Sequence, residues 1–178
     1  MTDTSVLSRP VNVADPPAAP VEIVATDAER KALAAAYDLV EVKGLTATVD
    51  VAPGVAGGVT AEGRVVADIV QTCVVSLEPV DQHIDETFTV RFVRGRGALP
   101  KAGHEVVVES DTADPPELLE GDSIDIGRLA EEYFVLSIDP YPHAPGAKLP
   151  ADLTEDEGKA ESPFAALADL ARSGPGKR

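Results

Sequence analysis

From residue 39 onward the chain alternates apolar and polar side chains with a period of two. Leu45, Ala47, Val49 and Val51 fall on one side, and Thr46, Thr48 and Asp50 on the other. The glycine-rich run 53–58 supplies a turn. On the return, Val65, Ala67 and Ile69 face away from Arg64 and Asp68. Beyond Leu77, Glu78 and Pro79, the set Ile84, Phe88, Val90 and Phe92 opposes Thr87, Thr89 and Arg91. Period two is the signature of half-buried strands. Three in succession with short connections predict an antiparallel meander. Residues 7–13 read as an edge strand, 21–25 as a short second strand, and 105–109 as one more.

Two stretches carry helical spacing instead. Thr26 and Glu29 match a capping box. Behind them Ala28, Ala32, Ala35 and Leu39 share one face, which predicts a helix over 27–38 with that face inward. Asp125 reads as the N-cap of a second helix over 127–138, with Ile126, Leu129, Ala130, Tyr133, Phe134 and Ser137 on its apolar side. Asp122, Asp125, Glu131 and Glu132 lie mostly toward its start, where the helix dipole favours anions, and Asp139 and Pro140 end it.

The expected fold class is therefore α+β. A single domain over 5–145 carries an antiparallel, half-barrel-like meander packed with two main helices. An acidic, proline-containing linker over 146–161 is too poor in apolar residues to fold. Residues 162–178 form a short amphipathic helix and basic tail, with Ser162 as N-cap, Pro163 in the first turn, and Phe164, Leu167, Ala168 and Ala171 along a stripe.

Composition sharpens this picture in three respects. The 178 residues are 44% hydrophobic but only 4% aromatic, with no tryptophan, so the core is built from Val, Ile, Leu and Ala. A single cysteine excludes an internal disulfide. The start lacks the basic and apolar regions of a signal peptide, and no apolar run is long enough for a spanning helix, so the expectation is a cytoplasmic protein without membrane contact. The net charge of −16 is uneven: between residues 99 and 126 eight carboxylates accompany one lysine. Such a surface repels polyphosphate and attracts cations.

Candidate chemistry is sparse. Cys73 sits ten residues before His83, and facing strand ends would bring the two together, but any hairpin makes such neighbours and a free cysteine is usually a buried small residue. No nucleophile signature, phosphate loop or dinucleotide fingerprint is present, so no catalytic residue, small-molecule substrate or cofactor is expected. One cysteine and three scattered histidines do not make a zinc set, and 109–125 lacks a calcium loop's spacing, so no metal is expected. Arg91, Arg94 and Arg96, interleaved with glycine, are the local candidates for phosphate contact; about three neutralised phosphates make a weak site.

Three separated segments nevertheless resemble one family. "QTCVVSLEPV", with Cys73, Ser76, Leu77, Glu78 and Pro79, resembles the C-x-x-C-L-x-P-V element of the YceD family, the large ribosomal RNA subunit accumulation proteins. "DSIDIGRLAEEYFVLSIDPYP", with Asp125, Glu131, Asp139 and Pro140, is similar to its D-x-I-D-L-x-x-L-x-E segment. "SPFAALADL", with Pro163, Phe164, Leu167 and Leu170, resembles its N-P-F-x-x-L tail. The resemblance runs from about residue 7 to 170 and implies a non-enzymatic role in large-subunit (23S) RNA accumulation. It also implies metal or nucleic-acid binding where both cysteines are present. Here Ser76 stands in the second cysteine's place, and a hydroxyl is a poor zinc ligand.

Family and charge together lead to an expectation about partners. A chain this acidic serves ribosome construction by holding a basic large-subunit ribosomal protein or a pre-ribosomal particle, with Phe164, Leu167 and Leu170 as an anchor set. The competing expectation is direct contact of Arg91, Arg94 and Arg96 with 23S RNA. Cys73 is then a small apolar residue at a strand end, with Leu77 plugging the sheet.

Overall fold

Three strands of 13, 14 and 15 residues dominate the molecule. The structure, a computed structural model, describes residues 5–54, 57–95 and 115–148. In chain order the elements are β1 (Pro10–Asn12), β2 (Val21–Val24), α1 (Asp27–Ala36), β3 (Glu41–Pro53), β4 (Val59–Thr72), β5 (Pro79–Val93), β6 (Glu117–Leu118), β7 (Ser123–Asp125) and α2 (Ile126–Leu136). By its contacts the chain divides into Met1–Ala144 and Pro145–Arg178, and all nine of these elements belong to the first unit.

The long strands obey their alternation. Leu45, Ala47, Val49 and Val51 are buried on β3, as are Val65, Ala67 and Ile69 on β4 and Ile84, Phe88, Val90 and Phe92 on β5. On β3 the spacing breaks once, because Val42 and Leu45 are both buried although three residues apart. A bulge between Val42 and Gly44 absorbs the extra residue and returns Leu45 to the core side. Where Gly63 opposes Phe88, an added Cβ would collide with the ring; the missing side chain is the space Phe88 fills. That ring stacks on Tyr133 with centroids 4.4 Å apart, tying α2 to the sheet.

The sheet has the order β2-β3-β4-β5-β6 and does not close into a barrel. It is antiparallel except at its far edge. There Glu117 and Leu118 pair parallel with Phe92 and Val93, a strand not expected within an acidic loop. The segment expected as an edge strand over 7–13 is shorter and joins a different sheet: β1 pairs antiparallel with β7, Pro10 opposite Asp125. The ladder extends through Ile126 N–H donating to Arg9 O (3.1 Å) and Val13 N–H donating to Asp122 O (3.0 Å).

Both helix starts are as the sequence predicts. Thr26 and Glu29 cap each other's backbone at α1, and Asp125 accepts from Gly127 N–H and Arg128 N–H at α2, both at 3.1 Å. The inward face of α1 is a correction. Ala28, Ala32 and Ala35 are exposed, while Leu33 is fully buried and Ala34 and Tyr37 partly so. One leucine and one tyrosine four residues apart bury far more apolar area than three alanines, so they set the helix rotation. The helix stops at Ala36 rather than residue 38 because Asp38 takes a left-handed backbone (φ 54°). On α2 the expected stripe holds, with Ile126, Ala130 and Phe134 fully buried. The strand expected at 105–109, the linker beyond residue 148, the C-terminal helix and Arg96 lie outside the described residues.

Candidate functional site

The turn after β4 is built around Cys73. Its side chain is fully buried, and its Sγ accepts three backbone N–H groups: Val75 at 3.4 Å, Ser76 at 3.3 Å and Ala144 at 3.2 Å. Two of these come from the turn itself, and the third reaches across 71 residues. The expected small residue at a strand end is thus also an acceptor that closes the 138–144 segment onto the turn. Val74 N–H donating to Pro142 O (2.9 Å) and Cys73 N–H donating to Glu78 O (2.8 Å) complete the lacing. The Ser76 hydroxyl lies 3.3 Å from the Glu78 carboxylate.

Leu77 does not plug the sheet. Its backbone is left-handed (φ 61°) and its side chain is 76% exposed, because that conformation turns the Cβ away from the strand plane. Pro79 opens β5 opposite Thr72.

The donors around Cys73 shift its titration. The Ala144 N–H, the Ser76 hydroxyl and the Ser76 N–H, in that order, favour the thiolate, burial opposes them, and the pKa falls from 9.0 to about 6. A group whose folded pKa lies below its unfolded value contributes stability above the unfolded value and loses it as the pH falls through the folded one. The window here runs from 9.0 down to about 6. With one cysteine in the chain, the difference in ultraviolet thiolate absorbance between the protein and Cys73→Ser is expected to titrate with a midpoint near 6. A midpoint at an ordinary thiol value refutes the three-donor geometry.

The Cys73–His83 pair is not assembled. His83 lies on the exposed sheet face, where Nδ1 meets Asp68 at 2.7 Å. His143 Nδ1 meets Tyr141 O at 2.5 Å. Among the described residues no group of three or more His, Cys, Asp or Glu is placed to hold a metal ion.

Of the three candidate arginines, Arg94 is held within its own chain. Arg94 donates to Gly57 O and to Asp122, each at 3.0 Å, and Arg91 follows Val90 on β5 opposite Thr60. Four further described cations are paired with carboxylates. Arg9 pairs with Glu29 (2.7 Å), Arg30 with Asp27 (2.7 Å), Lys43 with Asp81 (2.6 Å) and Arg64 with Asp85 (2.5 Å).

Asp125 and Glu131, expected only as helix acids, fasten the N-terminal segment. Burial draws the Asp125 carboxyl upward, but the Ser8 hydroxyl and the N–H groups of Arg9, Arg128 and Gly127 outweigh it and hold the pKa below the usual carboxylate value. Glu131 is 5% exposed and accepts from Ser5 Oγ (2.5 Å), Leu7 N–H (2.8 Å) and the Tyr37 hydroxyl (2.7 Å). A signal for it existed: Glu131 lies four residues after Gly127 and three before Phe134, both buried, so it sits on the inward stripe.

Asp139 and Pro140 end α2 in a strap held by two glutamines. Gln71 Nε2 donates to Asp139 O (2.8 Å), Gln82 Nε2 donates to Ser137 O (2.8 Å), and Asp139 N–H donates to Gln82 Oε1 (3.1 Å). The anchor residues Pro163, Phe164, Leu167 and Leu170 lie outside the described residues. No helix among the described residues is long and apolar enough to cross a membrane.

The family model described as large ribosomal RNA subunit accumulation protein YceD matches residues 61–171. That span takes in the Cys73 turn, α2 and the strap. No characterised protein and no solved structure matches the chain.

Proposed function

The chain belongs to the YceD family, whose name gives it a role in the accumulation of large-subunit ribosomal RNA, and from that premise we propose that it acts without catalysis by holding a basic large-subunit ribosomal protein. A ribosomal protein shielded until the particle needs it protects the RNA it will cover, so RNA accumulates indirectly. The observation that carries the reading is electrostatic. The chain has a net charge of −16, and Arg9, Arg30, Lys43, Arg64 and Arg94 are each matched to a carboxylate of the same chain. Cations already paired are poor at releasing counterions from a phosphate backbone, whereas surplus carboxylates draw a basic partner. Arg91, Arg94 and Arg96 remain the alternative RNA contact, but Arg94 would have to abandon Asp122 to serve it.

The test presents the purified chain, at an ionic strength of about 0.15 M, with large-subunit ribosomal proteins one at a time and with a naked large-subunit RNA transcript. A complex with at least one ribosomal protein at roughly micromolar affinity or better is expected, weakening as salt is raised, with no comparable complex on the transcript. The tail belongs to the same proposal: Phe164→Ala with Leu167→Ala is expected to weaken capture while leaving the melting temperature unchanged. Tight transcript binding without any protein overturns the reading.

A further inference from the structure

Where β3 begins and β4 ends, the strap after α2 walls off an open cleft of about 480 Å³. Asp38, Val40, Gln71, Val74, Asp139 and Pro142 are among the residues that line it. Three features set it apart from the rest of the described surface.

The first is its rim. Val40 is 56% and Val74 49% exposed. Tyr141, in the strap between Pro140 and Pro142, is 70% exposed, and Leu77, in the turn that contributes Val74, is 76% exposed. Exposed apolar side chains scattered singly carry no message, but concentrated around one concavity they mark a contact surface. The second is charge. The lining includes the carboxylates Asp38 and Asp139 and no lysine, arginine or histidine, so it offers acceptors and lacks donors of positive charge.

The third is Gln71. It is 7% exposed, its Nε2 is committed to Asp139 O, and its Oε1 is a buried acceptor with no donor among the described residues. Buried amide oxygens are nearly always satisfied, and this unsatisfied one belongs to a residue that lines the cleft. The walls themselves are fixed by Val40 N–H donating to Val70 O, Val74 N–H donating to Pro142 O, and Sγ of Cys73 accepting from Ala144 N–H. A concavity held by backbone bonds costs little to organise on binding.

We infer that this cleft is the docking surface for a short segment of a basic protein, one that seats an apolar side chain between Val40 and Val74 and sets a lysine or arginine against Asp38 and Asp139. The assignment rests on the proposed function, in which the partner is a basic protein, and adds the place where it binds. Charge complementarity selects this occupant over RNA, whose phosphates would face the two carboxylates.

The experiment uses the full chain and, as probe, the purified large-subunit ribosomal protein that binds it most tightly. Val74→Arg and Val40→Arg remove apolar rim and add like charge; because both side chains are exposed, neither change unfolds the domain, which thermal melts verify. Each is expected to weaken binding about tenfold or more. Val24→Arg, equally exposed at 57% on β2, is expected to stay within about twofold. Equal losses from all three variants overturn the cleft while leaving the basic partner intact, since overall charge would then hold it. Failure of every ribosomal protein to bind the unaltered chain removes the partner reading and the cleft with it. Tighter binding on Phe164→Ala with Leu167→Ala overturns the assignment in favour of the chain's own tail as occupant. A monomer–dimer equilibrium shifted by Val74→Arg overturns it in favour of a second copy.

Discussion

Replacing Glu131 by alanine is expected to destabilise the domain by about 4 kcal/mol. The carboxylate is 5% exposed and is the acceptor for Ser5 Oγ, Leu7 N–H and the Tyr37 hydroxyl. Removing it leaves those donors without their acceptor, two of them on the N-terminal segment and one on the turn after α1. A hydrogen bond to a charged group contributes roughly 1.5–3 kcal/mol, and a buried donor left unsatisfied costs its desolvation in addition. For a domain of this size the melting temperature falls by roughly 10 °C. Glu131→Gln keeps one carbonyl acceptor and is expected to lose about half as much. Thermal unfolding of the two variants measures this, and a change below about 1 kcal/mol for Glu131→Ala would show that the clamp is not formed in solution.

The second large effect is Gly127→Ala. On helix propensity alone the change is favourable, because alanine in place of glycine contributes about 0.5–1 kcal/mol inside a helix. Here the sign is expected to reverse. An added Cβ at 127 would lie well inside van der Waals distance of the Leu7 carbonyl and press on Arg9 N. The obstacle is backbone, so no rotamer change relieves it, and the N-terminal segment must lift. Lifting it breaks Leu7 N–H to Glu131, Arg9 N–H to Asp125 and Ile126 N–H to Arg9 O. A net loss of about 2–3 kcal/mol is expected. Because both substitutions release the same segment, the double variant should lose clearly less than the sum of the two. Additive losses would mean that the segment docks through only one of the two contacts. Amide exchange at Leu7 and Arg9, accelerated in both single variants, reports the release directly.

These sites are also where local pattern reading is blind. Alternation on β3, β4 and β5 identified the buried set from Leu45 to Phe92, because neighbours two residues apart must share a face whatever the rest of the chain does. The capping box at Thr26 and Glu29 and the N-cap at Asp125 were equally legible, since a cap and its donors lie within three residues. The rotation of α1 was not. Three alanines made a regular face, yet Leu33 and Tyr37 decided the burial, which depends on how much area a side chain can hide against a sheet not yet placed.

The candidate site divides in the same way. The Cys73 turn and the α2 segment were legible through their resemblance to the YceD family, whose model matches residues 61–171. The cleft was not, for it joins residues near 40, 71 and 140, and its informative members, Gln71 and Val74, are inconspicuous in the sequence. In the structure Ile69, Val70 and Gln71 are all buried, where strict alternation would leave the middle one outside.

What the sequence determined by itself is the three long strands, the starts of the two helices and the inward faces on the sheet and α2, together with a strongly negative net charge. Those follow from interactions spanning at most four residues and from composition. The tertiary structure alone decided that Glu131 is a buried clamp 124 residues from Leu7, that Ala144 polarises Cys73, that β6 runs parallel to β5, and that Arg94 is already held by Asp122. Each of these is a contact between segments whose mutual placement is set by how the whole sheet packs, and no local pattern encodes which distant acceptor a donor will meet.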